Sequence, residues 1–119
     1  MKNGVLIILL LAGIMNVQGQ QKMDPVKMAE YQTQLMIDRL DLVDGQEKEL
    51  RGINEKYSEL QAALLNKEGS MFSKIGDMKR IKKEKNQELE RVLTKEQMKV
   101  YEKELEPEMR ETMKKQMNQ

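Results

Sequence analysis

Cysteine and histidine are both missing from this 119-residue chain. Without cysteine no disulfide can staple the fold, and no lipid can be attached through a cysteine behind a signal segment. Without either residue the usual nucleophile and base pairs are absent, and Ser58, Ser70 and Ser73 have no evident general base, so the expectation is that the protein is not an enzyme. Paired carboxylates such as Glu88 and Glu90, or Glu102, Glu104 and Glu106, read as solvated helix faces with lysine partners rather than a buried acid and base. Tryptophan is absent too, and only Tyr31, Tyr57, Phe72 and Tyr101 are aromatic. That leaves a thin core for one domain, which association into a dimer would help.

Net charge is also scarce. Lysine and arginine total 21 against 20 aspartates and glutamates, and Lys2 accounts for the difference. A chain this neutral lacks the basic excess that neutralises phosphates, so nucleic acid is not an expected partner. Long apolar runs are confined to the start, where Lys2 precedes Val5 to Ile14 and Val17-Gln18-Gly19 offers a cleavage site. This is the layout of a signal peptide, and the run is about half the roughly 20 residues of a spanning helix. We expect residues 1–19 to be removed on export and residues 20–119 to form a single domain, with 105–119 a frayed or kinked tail.

From Asp24 onward glutamate, lysine, glutamine, leucine and methionine dominate, and β-branched residues never cluster as a strand requires. The expected fold class is all-α: four amphipathic helices with a long central antiparallel hairpin. Asp24-Pro25 reads as a cap and first helical residue, opening a helix that turns Val26, Ala29, Met36 and Leu40 inward and stops near Asp41. A second helix, about 45–66, carries a heptad seam of Leu50, Ile53, Tyr57, Leu60 and Leu64, with Gln46 in phase. Lys67-Glu68-Gly69-Ser70 turns the chain back. The third helix, starting between Ser70 and Asp77, uses Ile75, Met78, Ile81, Leu89, Val92 and Leu93, and its middle, Lys82 to Glu88, holds no apolar residue. Such a stretch is solvated on every side or is a working surface. A fourth helix follows Thr94, and Pro107 should kink or end it.

Leu93-Thr94-Lys95-Glu96-Gln97 makes a capping box, in which Thr94 caps the amide of Gln97 and the Gln97 side chain reaches back to the Thr94 amide. Leu93 and Met98 can pack as a staple across it. Leu42-Val43-Asp44-Gly45-Gln46, 51 residues upstream, keeps the leucine and the glutamine but has valine in place of threonine. Valine cannot cap, so Asp44 is expected to take over with Glu47 as its partner.

These two strings resemble the paired Leu-Thr-x-x-Gln signature of the Spy/CpxP family of periplasmic proteins, carried here by Leu42 and Gln46 and by Leu93, Thr94 and Gln97. The resemblance implies a periplasmic protein that dimerises into a thin curved cradle and binds unfolded or partly folded proteins without ATP. Neither a cofactor nor a small-molecule substrate is expected. Relatives that bind zinc do so through histidine and cysteine, which this chain lacks, so no metal is expected. Clients are expected on the third helix, where Lys74, Lys79, Arg80, Lys82, Lys83 and Lys85 outnumber Asp77 and Glu84 for a net charge of +4, whereas Asp38 to Glu59 is acidic. The expected client-binding residues are Met71, Phe72, Ile75, Lys79, Arg80, Lys82 and Lys83. Flexible methionine suits such a surface. Met109, Met113 and Met117, four residues apart, could also present thioethers to monovalent copper. Two alternatives stand beside the chaperone: a regulator docking on the periplasmic sensor domain of an envelope-stress kinase, and a structural helical envelope protein.

Overall fold

Asp24 opens the first helix as expected. Its carboxylate accepts from the Val26 amide at 2.9 Å, and Pro25, which has no amide to leave unpaired, takes the first position of α1, Pro25–Arg39. The computed structural model describes residues 22–117, and the expected signal segment, 1–19, lies outside them. Leu40 closes α1, and Asp41 turns the chain with φ +51°, a left-handed conformation that a short polar residue tolerates. Next come α2, Gln46–Asn66, and α3, Met71–Val92. Gly69 takes the positive φ of +117° between them, and Ser70 caps α3 through the Ser73 amide. All regular structure among the described residues is helical, and none of these helices is long and apolar enough to cross a membrane.

The last rod does not stop at Pro107. It runs as α4, Lys95–Val100, then a π turn, Tyr101–Leu105, then α5, Glu106–Met117. In the π turn the Glu106 amide reaches back five residues to the Tyr101 carbonyl. This widening, one residue before the proline, lets the helix carry a residue that lacks a donor and would crowd an ordinary turn. The chain therefore continues as helix to Met117, so Pro107 does not end it.

Packing follows a stripe somewhat rotated from the expected seam. Met36, Leu40, Leu50, Ile53, Tyr57, Ile81, Leu89, Leu93, Met98, Tyr101, Leu105 and Met109 form one buried cluster. On α2, however, Leu60 is 44% exposed while Asn54 and Ser58 are buried. The reason is α1, which packs along α2 and covers its Leu50, Asn54, Ser58 and Ala62 side; the Asn54 amide donates to the Thr33 hydroxyl at 2.9 Å there. Val26, expected to point inward, is 65% exposed, because Met23 and Met28 pack on Ala62 instead. Two hydrogen bonds between Met23 and Asn66 hold the start of α1 to the end of α2. Arg39 forks to Glu104 and Glu108 at 3.0 Å each, and Tyr31 meets Thr112 at 2.9 Å, so the last rod lies along α1.

Candidate functional site

The two motif copies meet. Thr94 and Gln97 form the expected capping box, with Oγ1 accepting from the Gln97 amide at 3.1 Å and Gln97 Oε1 accepting from the Thr94 amide at 2.9 Å. At the first copy Asp44 does not cap. Gly45, with φ +93°, occupies the cap position without a side-chain bond, and Gln46 Oε1 accepts from the Val43 amide at 2.9 Å. The box is thus half-kept: valine supplies no hydroxyl, but the glutamine still reaches back three residues. The two glutamines then join, Gln46 Nε2 to Gln97 Oε1 at 2.8 Å and Gln97 Nε2 to Gln46 Oε1 at 3.1 Å. Each also donates across the bend to the other copy: Gln46 to the Val92 carbonyl at 2.9 Å, Gln97 to the Leu40 carbonyl at 3.0 Å and that of Asp41 at 3.4 Å. Asp41 and Val92 are themselves 51 residues apart, so the clasp has an approximate two-fold relation.

Both amides spend every donor and acceptor they possess, which is the condition for a half-buried polar network to stabilise. Leu93 and Met98 are buried beside it, and Leu42 packs half-buried on the same core. The motif residues are therefore structural: they lock the α1–α2 bend to the α3–α4 bend at one end of the molecule.

The opposite end is open. Between α3 and α5 lies a groove of about 480 Å³, floored by Gln32, Gln61, Leu65 and Tyr101. Met71, Ile75 and Met78 form one wall, Met109, Met113 and Met117 the other. Its charged lining residues are Lys79, Lys82, Lys85, Arg110 and Lys114 against Glu106 alone. Such a basic frame repels a cation, which argues against the copper reading of Met109, Met113 and Met117. Glu106 bridges the two walls at the inner end, standing 3.8 Å from Lys82 and accepting from Asn86 at 3.3 Å.

Of the residues expected to bind clients, Met71, Ile75, Lys79 and Lys82 line this groove. Phe72 projects from the hairpin tip, 84% exposed, while Arg80 pairs with Asp77 at 3.0 Å and Lys83 is exposed outside the groove. Two lysines of the basic stretch are buried. Lys74 is buried and donates to the Leu65 and Lys67 carbonyls, satisfying the end of α2. Lys85 is 3% exposed, donates to Gln32 Oε1 at 2.7 Å and lies 6.0 Å from the centre of the Tyr101 ring. Burial pushes its pKa down to about 8, against a smaller opposing pull from Glu106. The sequence carried a signal for it: Lys85 stands four residues from both Ile81 and Leu89, in the buried stripe. Burial also pushes the Tyr101 hydroxyl well up, and across the hairpin the Lys56 ammonium and Tyr57 hydroxyl hold the Glu88 carboxyl below its usual range.

Residues 13–101 match the family model described as a domain of unknown function, DUF4890. The chain belongs to that family. No curated protein and no solved structure matches it. The DUF4890 match takes in both motif copies, the α2–α3 hairpin and the first residue of the π turn, whereas the α5 wall of the groove lies beyond it.

Proposed function

We infer that this DUF4890 protein is a passive, ATP-independent chaperone of the periplasm that holds partly folded proteins, as the Spy/CpxP resemblance implies. One observation carries the reading: Met71, Phe72 and Ile75 form an exposed apolar strip at the hairpin tip, continuous with a methionine-lined groove whose charged residues are five bases and one acid. An isolated exposed side chain needs no explanation, but a contiguous apolar strip in a basic frame marks a contact surface. Thioethers adapt to varied partners, and the lysines draw in chains that carry acidic segments. The clasp of Gln46 and Gln97 supports the family reading, since it gives the paired motif a physical task that requires both copies. In this reading the molecule works as a homodimer, and its mass in solution tests that element directly.

The decisive experiment mixes the purified protein with an equimolar, chemically denatured client and follows light scattering on dilution. Aggregation should slow, and changing Lys79, Arg80, Lys82 and Lys83 to glutamate should abolish the effect with helicity intact. Unaltered aggregation in the presence of the folded wild-type protein would sink the proposal. A pull-down from envelope extract that returns one stoichiometric partner, in place of many weak ones, would favour the sensor-docking regulator.

A further inference from the structure

The groove has a direction that client binding does not explain. Its outer end, toward the hairpin tip, is lined by Leu65, Met71, Ile75, Met113 and Met117, with the exposed Lys79, Arg110 and Lys114 beside them. Its inner end holds Lys82, Lys85, Gln32, Tyr101 and Glu106. Glu106 is already engaged by Lys82 and Asn86, and Lys85, a buried cation with three N–H groups, has one hydrogen-bond partner, the neutral Gln32. Glu106 therefore offsets the buried charge of Lys85 only in part, and an anion entering beside Lys85 would lower the remaining cost of burying it. The groove's volume falls within the range of small-molecule sites, and unbranched thioethers can follow a flexible chain.

We propose that this groove binds an amphiphilic carboxylate, a long acyl chain lying along Met71, Ile75 and Met113 with its carboxylate set against Lys85 and Lys82. The site shares Met71, Ile75 and Lys82 with the client surface, but its recognition lies at Lys85 in the groove's inner end and its assay contains no protein client, so either reading can fail alone. The groups facing Lys85 are Gln32 from α1, Tyr101 from the π turn and Glu106 from α5, and Lys82 of its own helix lines the same groove. Tyr101 stays a neutral phenol, its hydroxyl pushed well up, so the change of charge near pH 8 belongs to Lys85.

The probe is a fluorescent polyene fatty acid, kept below its micelle-forming concentration, compared with its methyl ester. The acid should bind one-to-one and saturably. The ester, and the Lys85→Met variant with the acid, should bind about tenfold weaker or worse, the loss typical of a charged hydrogen bond. Affinity should fall as pH rises from about 7 to about 9.5, and calorimetry near pH 8.5 in two buffers should register proton uptake on binding. An ester that binds as tightly as the acid, or a folded Lys85→Met with unchanged affinity, overturns the proposal. If Lys85→Met does not fold, the pH series on the wild-type protein decides: a flat profile without proton uptake overturns it equally.

Discussion

Removing either glutamine of the clasp should cost far more than an exposed side chain normally does. Gln97→Ala deletes the acceptor for the Thr94 amide, the donor to the Leu40 carbonyl and both bonds to Gln46. Each net intramolecular hydrogen bond is worth about 1 kcal/mol, and the Thr94 amide can return to water, so we expect a loss of about 2–3 kcal/mol. Gln46→Ala should cost a similar amount, because it frees the Val92 carbonyl and the Val43 amide as well as Gln97. The double variant should lose less than the two singles together, with a coupling of about 1–2 kcal/mol for the shared amide pair. Gln97→Glu sharpens the test. It keeps an acceptor for Thr94 but sets a carboxylate against the Leu40 carbonyl and Gln46 Oε1, so it should destabilise at least as much as alanine at neutral pH. Its deficit should then shrink in acid, once the carboxyl regains a proton to donate. Urea unfolding followed by far-ultraviolet circular dichroism measures each value, provided the slope with denaturant is unchanged. Singles that cost below about 0.5 kcal/mol, or a double that is strictly additive, would refute the claim that the two motif copies hold one another.

Three further outcomes are expected. Because Lys85 titrates near 8 in the fold and near 10.5 when unfolded, the unfolded chain binds the extra proton between those values; stability relative to Lys85→Met should therefore rise with pH across that window, by up to about 3 kcal/mol, in urea melts at paired pH values. Thr94→Ala removes one cap bond and should lower stability by about 1 kcal/mol, read by the same melts. Phe72→Ser should leave the melting temperature within a degree or two, since the ring touches mostly water, yet weaken client holding measurably in the scattering assay.

The helices were legible because local chemistry sets them. Asp24 before Pro25 and the Thr94–Gln97 box are caps whose partners lie within three residues, so sequence alone contains both halves of each interaction; Ser70 is a cap of the same kind, although sequence alone leaves the start of the third helix open between Ser70 and Asp77. What escaped was tertiary. Asp44 has the chemistry of a cap, but the bend places Gly45 there, because Gln46 is drawn toward a partner 51 residues away. Leu60 fits the heptad as well as Leu50 does, yet α1 lies over the Asn54 and Ser58 side, and no periodicity within α2 reveals where α1 will lie. Lys74 and Lys85 counted as surface charge, since lysine usually is; one instead satisfies carbonyls at the end of α2 and the other lies under the groove. Pro107 could have ended an ordinary helix, and the π turn at Tyr101–Leu105 lets the chain run past it.

The distribution of polar bonds separates stability from binding along the length of the molecule. At the motif end two bends are joined by amides with no unspent hydrogen-bonding capacity, and the buried cluster runs from there through Leu89, Leu93, Met98 and Tyr101. At the tip end the walls of the groove, α3 and α5, are bridged at their inner end through Glu106 and otherwise face one another across methionines. Both walls are anchored, α3 by Lys74 to the end of α2 and α5 by Thr112 to Tyr31 and by Met113 and Met117 to the Met23, Met28 and Ala62 cluster, so adaptability at the groove rests on the unbranched thioethers. Leucine at Met71, Met78, Met113 and Met117 would offer comparable apolar area with a stiffer shape. The proposed function therefore depends on where the methionines are, and the fold on where the glutamines are.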